Sequence, residues 1–171
     1  MKALVVYESM FGNTASIARA IAAGIRAHAD VTCADVSTMP SSAGMDLIVV
    51  GGPTHAFGMS RPSTREDAAR QGASRPGTAD VGLREWLGRS PALTGLAAAA
   101  FDTKIDRPFV PGSAAHKAHR WLGRLGCRLV AAPESFRVAE TTGPLRPGEK
   151  ERARRWGETV VKAVLAVREP V

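Results

Sequence analysis

"VVYESMFGNTASIARAIAAG", residues 5–24, joins an apolar run to an alanine-rich helical pattern through a short turn of glycine and small polar residues. Ile17, Ala18, Ile21, Ala22 and Ile25 recur at helical spacing, which predicts a helix over Thr14–His28. The preceding "KALVVY" is the short, continuous apolar run of a strand covered on both faces. The junction therefore sets Ser9, Met10, Phe11, Gly12, Asn13 and Thr14 at the mouth between a strand and a helix. Unbonded N–H groups and the positive end of the helix dipole attract an anion at such a place. Gly12 lets the backbone turn toward it, and the Ser and Thr hydroxyls and the Asn amide add donors. The loop has no lysine, so neutral dipoles would hold the anion. It matches neither G-x-x-x-x-G-K-[ST] nor G-x-G-x-x-G. A second reading stays open, in which Ser9 and Thr14 only cap the helix.

Outward from that stretch, strand and helix patterns alternate. "DVTCADV" and "DLIVVGG" read as strands, as does "LTGLAAAAFD", despite the weak β propensity of its alanines. "CRLVAAPESFRV" reads as a fifth strand bent at Pro133. Helices are predicted in "VGLREWLGR", "GSAAHKAHRWLGRLG" and the closing "RPGEKERARRWGETVVKAVLAVRE". Between them, residues 60–80 are the most polar interval. There "STREDAAR" makes one or two helical turns capped by Ser63 or Thr64, with Glu66 and Asp67 in the first turn. That interval is longer than most connections and fits a binding loop or lid. Arg61, Arg65, Arg70 and Arg75 stud it and read as solvent-exposed. Five buried strands with helical crossovers predict an α/β fold, a doubly wound parallel sheet with helices on both faces. No internal repeat or linker divides residues 1–171, so one domain is expected.

The composition narrows the function. Of the 171 residues, 44% are hydrophobic and 23% charged, the profile of a globular chain. No apolar run approaches the ~20 residues of a membrane helix, and the N-terminus lacks the plan of a signal peptide, so a cytoplasmic location is expected and no membrane partner. Cys33 and Cys127 stand apart from each other and read as structural thiols. The net charge of +7 is uneven: residues 1–60 hold Lys2, Arg19 and Arg26 against Glu8, Asp30, Asp35 and Asp46. In residues 104–128, Lys104, Arg107, Lys117, Arg120, Arg124 and Arg128 face Asp106 alone. These cations sit without interleaved aromatics or a nucleic-acid motif, so no nucleic acid is expected. His116 and His119, at i and i+3, read as a surface pair rather than metal ligands. No Ser-His-Asp or Cys-His arrangement suggests a hydrolase.

Ligands of open parallel sheets bind beyond the carboxyl ends of the strands, where strand order reverses. Three loops belong there: 8–14, 51–62 and 102–112. In the second, Pro53, Thr54, His55, Phe57 and Gly58 offer an apolar wall with a few polar groups. In the third, Asp102, Thr103 and Lys104 supply polar side chains, with Phe109 as an aromatic nearby. His55, with an unperturbed pKa near 6.5, is a candidate hydrogen-bond donor that switches near neutral pH.

"S-M-F-G-N-T" after "LVVYES" resembles the phosphate loop of flavodoxins, and "GGPTHAFGMSRP" resembles their flavin-flanking loop. The resemblance extends along the whole chain. It implies a five-stranded sheet of order 2-1-3-4-5 and non-covalent FMN, with its phosphate on residues 9–14 and its ring between the other two loops. The third loop departs from the family pattern: it has no Gly-rich turn, and the only tyrosine, Tyr7, lies in the first strand. What the resemblance implies is an electron carrier serving a redox partner protein, an acidic one given the basic charge. Two other readings remain: an FMN-dependent NAD(P)H quinone or nitro reductase with the same fold, and a domain that keeps the fold without FMN.

Overall fold

In a computed structural model of the chain, residues 1–55, 57–72 and 81–168 are described. In chain order they form β1 (Lys2–Tyr7), α1 (Asn13–Arg26), β2 (Asp30–Asp35), β3 (Leu47–Pro53), α2 (Pro62–Arg70) and α3 (Leu83–Arg89). Then follow β4 (Ala97–Ile105), α4 (Ala114–Arg124), β5 (Arg128–Leu129), β6 (Glu134–Val138) and α5 (Glu149–Arg168). The sheet runs β2-β1-β3-β4-β5, every pairing parallel, and β6 also pairs with β4. This is the 2-1-3-4-5 order that the resemblance implied. Its reversal falls between β1 and β3, beside the glycine turn of residues 8–12.

Both sheet faces are covered at its centre, which is why β1, β3 and the first part of β4 are apolar without alternation. Ala3, Val5, Leu47, Val49, Ala97 and Ala99 face α1 and α5. Leu4, Val6, Ile48, Val50, Ala98 and Ala100 face α3 and α4. Phe101, Phe136 and Trp156 close one end of the first core edge to face, with centroids 6.1–6.4 Å apart. Gly51 is required there, since a Cβ on it would lie 2.2 Å from the Phe101 ring. Cys33 and Cys127 are partly buried, and burial raises both thiols, Cys127 to about 11, so both stay protonated.

Three local expectations change. The fifth strand is two pieces: β5 pairs with the first half of β4, β6 with the second, and the chain between them includes Pro133, which has no N–H to donate. β4 runs on past Asp102, the expected strand end, to Ile105, so Thr103 and Lys104 also lie in the strand rather than in a loop; Asp102, Thr103 and Lys104 pair with Ser135, Phe136 and Arg137. Helix α2 begins one residue before the expected caps, with Arg61 at its N-cap and Pro62 at the first position, where a missing N–H is harmless. Thr64 instead accepts from the Arg61 N–H at 2.8 Å, and Glu66 and Asp67 fall beyond the first turn. Residues 73–80, including Arg75, lie outside the described residues, as does Ala56.

Candidate functional site

The turn after β1 is built to present N–H groups. Gly12, the N-cap of α1, has φ +90°, a left-handed conformation that glycine adopts without strain. No side chain caps the helix, so the first-turn N–H groups of Asn13, Thr14 and Ala15 meet no acceptor among the described residues. Ser9 turns inward: its Oγ accepts from the Gly12 N–H at 3.2 Å and shapes the loop. A Cβ on Gly12 would meet nothing within 4 Å, so it is the backbone conformation and not crowding that calls for glycine here.

The second wall is the reversal after β3. His55 and Gly58 exchange both backbone hydrogen bonds, at 2.7 and 2.9 Å, which holds a two-residue turn. Phe57 stands on that turn at φ +72° with 58% of its surface exposed. A phenylalanine in the left-handed region costs about 1 kcal/mol, and such strain clusters at ligand sites. Phe109, beyond β4, repeats the pattern at φ +61° and is fully exposed.

The turn after β3 and the start of α4 are fastened to one buried carboxylate. Asp102 is 0% exposed, and its Oδ2 accepts from Thr54 Oγ1 at 2.8 Å, Ser113 Oγ at 2.6 Å and the Ala115 N–H at 3.0 Å. The Thr54 hydroxyl oxygen in turn accepts from the Ala114 N–H at 3.0 Å. Asp102 Oδ1 has no hydrogen-bond partner among the described residues. Asp102 is thus a brace beneath the walls and does not line the cleft.

The cleft between these walls is lined by Met10, Phe11, Asn13, Thr14, Pro53, Thr54, His55, Phe57, Thr103 and Lys104, all expected from the sequence. Ser9, Gly12, Gly58 and Asp102 shape it from behind. Thr14 and Thr103 share a 2.7 Å hydrogen bond that ties the first loop to β4, and Lys104 Nζ donates to the Gly112 carbonyl at 2.6 Å. Ile105, Val110, Val138 and Thr141 complete the lining and were not expected. Val138 and Thr141 flank the turn after β6, and only the split of the fifth strand brings that turn to the cleft. His55 departs from its expected switching role: burial, then the Arg65 charge, holds its pKa below the usual 6.5, so it is neutral at pH 7.

Behind the first loop lies a buried ionic cluster with no sequence signature. Glu8, 1% exposed, accepts from Ser60 Oγ at 2.5 and 2.8 Å and from the Leu83 N–H at 3.0 Å. Arg65, expected at the surface, is 2% exposed instead and donates to Ser60 Oγ and to Glu85, at 2.8 and 2.6 Å. Gly82 must stay bare, because a Cβ would lie 1.9 Å from Glu8 Oε1.

With the cleft placed at the carboxyl ends of β1, β3 and β4, comparison with known proteins becomes informative. A flavodoxin-domain family model matches residues 4–65, the segment carrying the first loop and the Phe57 turn. A solved flavodoxin from the Archaea superposes with a TM-score of 0.66 at 20% identity, covering 96% of this chain and 99% of that one. The fold is flavodoxin-like. Oxidised flavodoxin 1 from Bacillus cereus gives a TM-score of 0.67 at 20% identity, covering 95% of this chain and 98% of its own. A flavodoxin, WrbA-like protein from Agrobacterium tumefaciens gives 0.63 at 17% identity, covering 96% and 98%. No curated protein matches the sequence. At these identities the likeness lies in the fold.

Proposed function

We propose that the cleft binds FMN without a covalent bond and that the chain is an electron carrier. One observation carries this reading: an uncapped helix start and a strained, exposed Phe57 border a single cleft. The residues suit the group. Its phosphate matches the open N–H groups of the α1 start, backed by Thr14 and Asn13. Its planar ring matches a slot walled by Met10, Phe57, Ile105 and Val110. FMN, when bound, supplies the redox chemistry; the protein supplies position and electrostatics. Neutral His55 offers the ring a hydrogen-bonding group without adding charge. Lys104 is a fixed cation in the wall, favouring negative charge that develops on the ring. Asp102 keeps the turn after β3 in register with the start of α4.

The test is the visible absorption and fluorescence of the purified chain before and after FMN is added. A shifted spectrum with quenched fluorescence, lost in Gly12→Val, supports the reading. No spectral change on titration would falsify it. Slow oxidation of NADPH by the loaded protein, with fast electron exchange with protein acceptors, separates the carrier from a reductase.

A further inference from the structure

The ion pairs of this protein are unevenly distributed. On α5, Glu149, Glu151 and Glu158 each hold at least one cation. Across the sheet, α4 carries Lys117, Arg120 and Arg124, and none has an ion-pair partner among the described residues. The Arg124 guanidinium lies over the Trp121 ring, 5.9 Å from its centroid. Arg84 of α3 joins them: it donates to the Met59 and Ser60 carbonyls, both at 3.3 Å, and has no ion-pair partner among the described residues. The acids nearby are taken: Asp106 pairs with Arg146, and Glu85 with Arg65. Lys117 and Arg120 line two adjoining hollows, one shared with Lys104, the other with Arg84 and Arg124. Lys104 also lines the cleft, and Lys117 Nζ lies close against Gly58 of the Phe57 turn.

We propose that this face of α4 and α3 is the docking surface for an acidic protein, the electron partner of the carrier described above. The inference rests on that reading for its purpose, though not for the binding itself. Four features favour a protein over a phosphate-bearing small molecule. The cations follow an 11-residue helix, ~16 Å long, and spill onto a second one. The α4 first-turn N–H groups are consumed by Thr54, Asp102 and Ser113, so no anion cradle is left at its start. Helix α4 carries cations and an aromatic and no acid in its own sequence, which complements a carboxylate-rich face. It also borders the exposed Phe57, so a partner seated there lies against the cleft mouth.

The experiment is an NMR titration of the full 15N-labelled chain, with and without FMN, using an acidic b-type cytochrome as probe and a basic c-type cytochrome as counter-probe. The acidic probe is expected to shift amides of α4, Gly112 and the 57–58 turn, and to lose its effect between ~20 and ~300 mM salt. Lys117→Glu, Arg120→Glu and Arg124→Glu together are expected to weaken binding at least about tenfold. Arg26→Glu, Lys150→Glu and Lys162→Glu together change net charge equally on the α1 and α5 side and are expected to do far less. Circular dichroism of both triples reports that they are folded. Shifts centred on α1 and α5, equal weakening by both triples, or no shift with the acidic probe each overturn the proposal. So do α4 shifts with NADPH and none with the cytochrome, which would assign the face to nucleotide phosphates. FMN uptake without docking removes the surface and keeps the cofactor; docking by a chain that takes up no FMN does the reverse.

Discussion

Arg65 shows how much of this protein one side chain can hold. Its guanidinium spans Ser60 and Glu85 with Glu8 3.6 Å away, all behind the loop that opens α1. Replacing it by methionine leaves two carboxylates without that cation, one of them buried, and is predicted to destabilise the fold by about 3–5 kcal/mol in urea titration. A loss under 1 kcal/mol would mean that the carboxylates protonate or find water at little cost. His55 and His119 give a pH signature of definite sign. Burial lowers both imidazoles below 6.5, aided by Arg65 for the first and His116 for the second. Below pH 6.5 the unfolded chain then binds protons that the folded one does not, so stability is full above that pH and lost as it falls. The thermal midpoint is predicted to drop between pH 6.5 and 5, with a shallower slope in His55→Gln. An unchanged slope in that variant would assign the effect elsewhere.

At the scale of elements, α1 and α5 pack through two glycines. A Cβ on Gly24 would lie 2.0 Å from the Arg154 carbonyl oxygen, and one on Gly157 2.3 Å from that of Ile21. Alanine is the better helix former by ~1 kcal/mol, yet Gly157→Ala is predicted to destabilise by about 1–3 kcal/mol, because the obstacle is backbone. A raised urea midpoint would show that the two helices slide apart freely. The elements themselves were largely legible: continuous apolar strands and a 3.6-residue stripe are local signals, and the glycine turn after β1 is local too. What could not be read was long-range. Glu8 meets Ser60 and Leu83 across 52 and 75 residues, and nothing near Arg65 in sequence marks it as buried. Thr103 and Lys104 looked like loop because they are polar. They are strand because their backbone pairs with β6, and hydrogen bonds from Thr54 and Ser113 to Asp102, and between Thr14 and Thr103, satisfy the buried polar groups. Val138 and Thr141 reach the cleft only through the split pairing of β4, which sequence periodicity does not encode.

For the molecule as a whole, charge is the distinguishing property. The net +7, and Lys104 in the cleft wall above all, favour the reduced, more negative form of a bound flavin. Lys104→Ala is predicted to lower its midpoint potential by about 40 mV, the size of a ~1 kcal/mol Coulomb interaction at a partly exposed site. A redox titration that finds no change would place the ring away from this side chain. The α4 cations Lys117, Arg120 and Arg124 have no ion-pair partner among the described residues, and they stand beside the cleft. Attraction from such charges acts on an acidic molecule before any contact is made. Collisions that land there are held long enough to align, so fewer of them are wasted.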